Sequence, residues 1–199
     1  MFIVVLVKRR TVMKRLGFLV ILPLLAGCAS SSDEQPACPS VAIVRDLHQY
    51  ADFGRAEKPA RGEFVVAARL DGVQGDCRTE EKDIVAHIDI AMRAFRGPRL
   101  GGDRAAFPYF IAVLDRDDRV VTKQNLSVDF SLAQEAQMVE KTELVRVRIP
   151  NPHGRDGSHW RVLVGFQLSP EQLAFNRGEF GEPKAWPSPS GRVMRQTAP

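Results

Sequence analysis

The sequence predicts an all-β domain over residues 38–177: a single antiparallel, immunoglobulin-like β-sandwich of about seven strands. The first observation is that apolar residues recur at every second position through most of this region, as in strands with one buried face. The second is that short polar turns, such as 116–118, separate the apolar segments. A small β-barrel is the alternative that the same pattern allows.

The first three strands are expected at 41–47, 63–70 and 83–95. We expect the second to continue toward Cys77 through a bulge at Asp71-Gly72, although Asp-Gly can also form a two-residue hairpin turn. The third alternates over its whole length. Its predicted inward residues are Ile84, Ala86, Ile88, Ile90 and Met92.

Four further strands are expected at 107–115, 119–130, 142–149 and 159–168. Segment 107–115 is apolar on both faces, which favours a central strand, whereas the other three alternate. After the last strand, Ser169-Pro-Glu-Gln172 has the pattern of a capping box with proline at the first helical position. A short helix therefore follows the sandwich and ends at Gly178.

The first residues have the pattern of an export signal. Lys14 and Arg15 precede the apolar run 16–25, which is too short to span about 30 Å of hydrocarbon and is typical of a signal peptide. Residues 1–12 fit no part of this plan, so we expect translation to begin at Met13. An additional apolar patch before the signal is the alternative.

The signal segment ends in Leu-Ala-Gly-Cys28, which resembles the lipobox of bacterial lipoproteins. The resemblance implies that residues 1–27 are removed and that the thiol of Cys28 carries a diacylglyceryl lipid, the one covalent group expected. An ordinary secretory signal is the alternative. Ala29 stands where aspartate retains enteric lipoproteins at the inner membrane. The resemblance therefore favours the inner leaflet of the outer membrane, with the domain facing the periplasm.

Three further segments are similar to a group of small proteobacterial envelope lipoproteins. They are Cys-Pro-x-Val-x-Ile from Cys38, Pro-Tyr-Phe-Ile-Ala-Val-Leu-Asp from Pro108, and Val-Gly-Phe-Gln-Leu-Ser-Pro-Glu-Gln-Leu from Val164. The resemblance covers most of residues 28–177. Because its motifs are structural, it carries over no catalytic residue.

Processing at Cys28 would change the charge of the chain. It removes five of the 28 basic residues and none of the 24 acidic ones, so the formal net charge falls from +4 to −1. We therefore expect no nucleic-acid partner.

Residues 28–37 are polar and small, as in a flexible tether, and 178–199 hold four prolines, as in a disordered tail. Phe180 and Trp186 could instead hold that tail on the domain.

Two cysteines remain once the lipid has taken Cys28. In an oxidising compartment Cys38 and Cys77 are expected to form a disulfide. Two buried free thiols are the first alternative. A metal pair is the second, although no histidine or third cysteine lies near either residue in the sequence.

Few residues have the spacing of a functional site. His153, Asp156 and His159 could hold a metal, but Asn-Pro and Asp-Gly in the same segment are typical of a turn, so we expect a connection between strands and no metal. The Gly/Pro-rich segment 93–104 contains Arg96, Arg99 and Arg104. These arginines are candidates for binding an acidic protein face, lipid phosphate or glycan carboxylates; a solvated loop is the alternative.

Two functional hypotheses follow. The first is a non-enzymatic binding or adaptor module of the cell envelope, held on the membrane by its lipid, with an envelope protein or the cell wall as partner. The second is an enzyme acting on cell-wall or lipid substrates through a site that only the fold brings together.

If consecutive strands are antiparallel, connections 48–62, 96–106 and 131–141 lie at the end away from the tether. Connections 80–82, 116–118 and 151–158 then lie near it.

Overall fold

The computed structural model describes residues 37–55, 64–178 and 193–196, and within them the chain forms two packed β-sheets. The elements are β1 Ser40–Ile43, β2 Gln49–Asp52, β3 Val66–Thr79, β4 Asp83–Arg96, β5 Arg104–Leu114, β6 Val120–Ser131, β7 Met138–Pro150, β8 Arg161–Phe166, α1 Pro170–Asn176 and β9 Val193–Gln196. One sheet has four strands in the order β1-β8-β5-β6, and the other has five in the order β2-β3-β4-β7-β9. The sheets stay separate, so the predicted sandwich is confirmed and the barrel alternative is wrong.

The core lies between the two sheets and is formed by alternate residues of the long strands. Burial removes their apolar side chains from water, which stabilises the folded chain by about 25 cal/mol for each Å² of apolar surface buried. The predicted inward face of β4 is confirmed, since all five of its residues are at most 3 % exposed. The largest fully buried side chains of the other strands are Phe107, Ile111, Phe130, Ile149 and Phe166.

The hairpin of β3 and β4 determines the length of the sandwich. The two strands pair antiparallel along their whole length, and the register shifts between Leu70 and Gly72. The predicted bulge is therefore confirmed, and the hairpin-turn alternative is wrong. Because β3 continues past the bulge, Cys77 lies opposite Ala86, close to the start of β4.

Strand β5 is central in its sheet, as predicted, although it contains Pro108. A proline has no backbone N–H and is normally excluded from central strands. The carbonyl of Pro108 accepts a hydrogen bond from Gln167 N at 2.9 Å, on the side of β8. Because β8 itself ends at Phe166, the missing N–H of Pro108 leaves no strand residue without its partner.

Helix α1 confirms the predicted capping box: Ser169 accepts from Gln172 N, and the Gln172 side chain accepts from Ser169 N. The helix packs beside β2 and completes a second, smaller core, in which the rings of Phe53 and Phe175 lie 4.8 Å apart. Side-chain amides fix this contact. Gln172 donates to the carbonyl of Ala51, and Asn176 to those of Asp46 and Gln49.

The structure corrects the predicted strand list. There are nine strands among the described residues, since β2 lies in the expected connection 48–62 and β9 in the expected disordered tail. The pairs β1–β8 and β7–β9 are parallel, so the sandwich is not wholly antiparallel. The predicted first and last strands are shortened because 3-10 turns occupy Arg45–Leu47 and Gly157–His159. Strand β7 starts four residues earlier than predicted, where it reaches β9.

Five of the six expected connections fall at the predicted ends of the sandwich; the sixth, 48–62, contains β2. At the end called here the near end, Asp83 pairs with Pro150 and Leu114 with Arg161, so the connections 80–82, 115–119 and 151–160 meet. At the opposite, far end, Arg96 N donates to Gln137 O and Leu132 N to Asp103 O, which joins the connections 97–103 and 132–137.

Candidate binding surfaces

The near end carries the disulfide. Cys38 and Cys77 are bonded with their Cα atoms 5.6 Å apart, so this predicted pair is confirmed and both alternatives are wrong. The bond joins the start of the described chain to β3, and Ser40 then begins β1 opposite Arg161. The lipidation residue Cys28, the predicted signal 1–27, the start at Met13 and the tether up to residue 36 lie outside the described residues.

Asp156, one of the predicted metal candidates, has a structural role at the near end. Asp156 caps the 3-10 turn by accepting from Ser158 N at 2.6 Å. Hydrogen bonds from the hydroxyl and the backbone N–H of Ser158 lower the pKa of Asp156, and the N–H of Ala37 donates to the same carboxylate. Gly157 lies directly against the Ala37 carbonyl, where a Cβ would overlap the oxygen. This segment therefore fastens the chain next to the disulfide.

The remaining residues of the segment form an ordered connection. Asn151 is 1 % exposed, and its amide bonds both the N–H and the carbonyl of Arg155. Gly154 takes a left-handed backbone with φ +58. His153 is exposed, while His159 Nδ1 lies 3.1 Å from the carbonyl of Asp156. Within the described ranges, no three metal-liganding side chains come together.

The far end contains the arginine loop, residues 97–103. Arg96 is half-buried, and its guanidinium donates to the carbonyls of Leu100 and Gly102 in this loop and of Leu132 in the neighbouring connection, at 2.6–2.9 Å. The planar guanidinium presents several donors at fixed angles, which suits three carbonyls at once. Arg96 thus holds two loops in position from inside the molecule.

Arg99 and Arg104, in contrast, lie exposed at the far end. An open cleft of about 450 Å³ lies between the two connections that Arg96 joins, and Arg96 itself lines it. Its wall includes the acidic residues Asp103 and Glu135 as well as Gly101 and Gly102. The predicted cluster is therefore divided by the fold into one supporting arginine and two exposed ones, and the surface carries both signs of charge.

A third polar surface, not predicted as a site, covers the outer face of the five-stranded sheet. Asp71, at the bulge, is bound by Arg69 and Arg93, and its side chain is 19 % exposed. Burial alone would raise the pKa of Asp71, but hydrogen bonds from Arg93 and Arg69 outweigh it and lower that pKa. Two shallow clefts of about 390 and 230 Å³ lie beside it, lined by charged residues that include Glu140 and Asp89.

Alternation in the sequence does place Asp89 and Arg93 on the polar face of the predicted strand 83–95. It does not give their partners, because those depend on the register across the bulge. The sequence therefore indicates the polar face of this strand but not the ion pairs of Asp71 that form on it. Within the described parts of the chain, no helix is long and apolar enough to cross a membrane.

Comparison with known proteins adds little to this geometry. No protein-family model and no curated protein matches the sequence. A β-glucuronidase from glycoside hydrolase family 2 is 16 % identical with a TM-score of 0.30; the match covers 46 % of this chain and 8 % of that one. The variable domain of the BspA polypeptide from Streptococcus agalactiae is 8 % identical with a TM-score of 0.16; the match covers 61 % of this chain and 73 % of that one.

Proposed function

We propose that the chain is a lipid-anchored, periplasm-facing, non-enzymatic binding module of the cell envelope, which offers its far end to a partner. One observation carries the proposal: the described chain begins at one end of the sandwich, and the arginine loop lies at the other. Ten residues of β4 separate Ala86, opposite the disulfide, from Arg96, which corresponds to roughly 33 Å.

This separation matters because the expected tether is short. Nine or ten residues reach at most about 35 Å when fully extended. A domain fastened at its near end by Cys38 would keep that end beside the lipid headgroups. Arg99 and Arg104 would then project toward the periplasm and the cell wall, away from the leaflet that holds the lipid.

The chemistry of the far end favours a protein or a glycan carboxylate as partner. Arg104 is exposed, and the geometry of its guanidinium group matches carboxylates; Arg99 adds positive charge to the same end. Asp103 and Glu135 in the same surface would repel a dense polyanion. A mixed, pre-arranged surface of this kind is typical of protein recognition, in which charge complementarity gives specificity.

Support for a non-enzymatic role comes from the described clefts. A catalytic pocket is usually deep, with convergent polar groups whose pKa values are perturbed for the chemistry. Here the clefts are shallow, and Asp71, the acid with a shifted pKa that lines one of them, is held by Arg69 and Arg93. An envelope enzyme acting on cell-wall or lipid substrates is the alternative, and turnover of such substrates by the purified chain would favour it.

Site-specific photocrosslinking in intact cells tests the proposal. A photoreactive amino acid is placed at Gly101, at the far end, where a Cβ meets nothing within 4 Å, and as a matched control at Arg116, an exposed turn residue of the near end. We expect a discrete protein or cell-wall adduct from position 101 and none from position 116. Adding Cys28→Ser should release the chain from the membrane and reduce the adduct. Equal adducts from both positions would contradict the proposal.

A further inference from the structure

Among the described strands that lie at an edge of a sheet, β6 is the longest. The edge strands β1, β2 and β9 have four residues each, whereas β6 has twelve. In the part of the chain that the structure describes, β6 pairs with β5 alone. Proteins normally shorten or cover edge strands because unpaired backbone groups invite another strand. A twelve-residue open edge can therefore accept another strand; among the described residues, β3 beyond Arg69 and β7 beyond Lys141 also pair on one side only.

The structure defines which backbone groups of β6 point outward. The carbonyl of Pro108 points toward β8, so Pro108 and its partner Ser127 form a pair that exchanges no hydrogen bonds, and the groups of Ser127 point away from β5. Lys141 Nζ, from the other sheet, donates to the Asp129 carbonyl at 3.4 Å, so this carbonyl also points away from β5. By alternation, Lys123, Asn125, Ser127 and Asp129 present their N–H and C=O groups outward.

These four residues are complementary to the same four residues of a second copy when the two strands run antiparallel. With a two-fold axis at Leu126, Lys123 lies opposite Asp129 of a second copy and Asn125 opposite Ser127, each twice. All four pairs join outward-pointing residues, so about eight backbone hydrogen bonds can form. Moving the axis by two residues along the strand in either direction removes both Lys–Asp pairs. Opposite charges directly across two strands stabilise a sheet, and like charges destabilise it.

Apolar contacts support the same pairing. Leu126 is half-buried at the open seam between the sheets, and it would meet its own copy across the axis. The Lys141 contact need not be lost, since a carbonyl oxygen can accept two hydrogen bonds.

We propose that β6 pairs antiparallel with β6 of a second copy of this chain, with the two-fold axis at Leu126. The pairing joins the two four-stranded sheets into one continuous sheet. Because the two copies run antiparallel, the near end of one lies beside the far end of the other. Both near ends could not lie against one membrane in this dimer, so the proposal concerns the chain when it is not held on a membrane. It is independent of the proposed function and needs neither the lipid nor a heterologous partner.

Cysteine crosslinking tests the pairing in the full chain carrying Cys28→Ser, which removes both the lipid and the third thiol. Leu126→Cys should give a disulfide-linked dimer of twice the chain mass on a non-reducing gel. The matched control Leu144→Cys places the same change at the exposed Leu144 of β7 and should stay monomeric. A dimer from both variants, or from neither, would overturn the proposal. So would an adduct of Leu126→Cys with a different protein.

A charge exchange provides the second test. In the Leu126→Cys background, K123D or D129K places like charges opposite each other and should lower the dimer yield about tenfold. The double exchange K123D/D129K should restore the yield to within about twofold. Lys123 also lies 4.7 Å from the ring of Phe110, and the double variant loses that contact as well. Recovery therefore reports the pairing itself, and failure to recover would contradict the register. Sedimentation of the Cys28→Ser chain and of its K123D variant, without new cysteines, should show a dimer and a monomer respectively.

Discussion

The near end and the far end of the sandwich are fixed by different means. At the near end a covalent bond and backbone contacts hold the chain, through the disulfide of Cys38 and the turn around Gly157. At the far end one side chain, Arg96, holds two loops through their carbonyls. The first arrangement resists pulling on the start of the domain. The second keeps a surface in position while its neighbours remain exposed.

The largest expected effect is loss of the disulfide. Replacing Cys38 and Cys77 together with serine releases a loop with a sequence separation of 39. In the chain-entropy model, this lowers the free energy of unfolding by about 4 kcal/mol. Urea denaturation of the variant and of the oxidised unmodified chain measures the difference. A change below about 1 kcal/mol would mean that the near end is held by other contacts.

Arg96→Met is expected to have the next largest effect. It keeps the aliphatic stem but leaves three carbonyls without their charged donor, which should lower the free energy of unfolding by about 2–3 kcal/mol. Amide exchange should become faster in 97–103 and 132–137 and remain unchanged in 151–160. Arg104→Met is the control, because Arg104 is exposed. Equal effects of the two substitutions would contradict the supporting role of Arg96.

Two glycine substitutions compare the ends directly. Gly157→Ala places a methyl group against the Ala37 carbonyl and should lower the free energy of unfolding by about 1–3 kcal/mol, as overpacking does. Gly101→Ala meets open space and should change it by less than about 0.5 kcal/mol. Thermal unfolding of both variants measures the contrast. The same shift in both would remove the distinction between a packed and an open end.

The smallest effect concerns Asp71, which belongs to neither end. Its folded-state pKa is lowered, so its stabilising contribution is present above the ordinary value of 3.8 and is lost as the pH falls through the lowered value. Asp71→Asn should therefore cost about 1 kcal/mol at pH 7, and the difference from the unmodified chain should shrink below about pH 4. Asp89→Asn, on the same face, is the control. A difference independent of pH would show that the Asp71 charge is not the cause.

Much of the fold could be predicted because it depends on local patterns. The alternation of β4 and the capping box at Ser169 are recorded in neighbouring residues, and both are present. Strand β2 could not be predicted, because Gln49–Asp52 has no clear alternation. It forms against the edge of β3, where the amides of Gln172 and Asn176 hold its carbonyls.

The candidate surfaces were predictable only in part, for the same reason. The sequence groups Arg96, Arg99 and Arg104, but only the fold brings Leu132 to Arg96 and so separates that residue from the other two. His153, Asp156 and His159 are close in sequence, yet the use of Asp156 depends on Ala37, far away along the chain. Contacts between distant segments determine which charged residues remain available to a partner.

The distance of each end from the membrane tests the central claim most directly. Single cysteines at Gly101 and Arg116 carry a fluorescent label in the lipidated chain, reconstituted in vesicles that contain an acceptor in the headgroup layer. Energy transfer should be strong from position 116 and weak from position 101, since the two ends are separated by roughly 33 Å along β4. Equal transfer from both positions, or stronger transfer from position 101, would contradict a module that is anchored at one end and binds with the other.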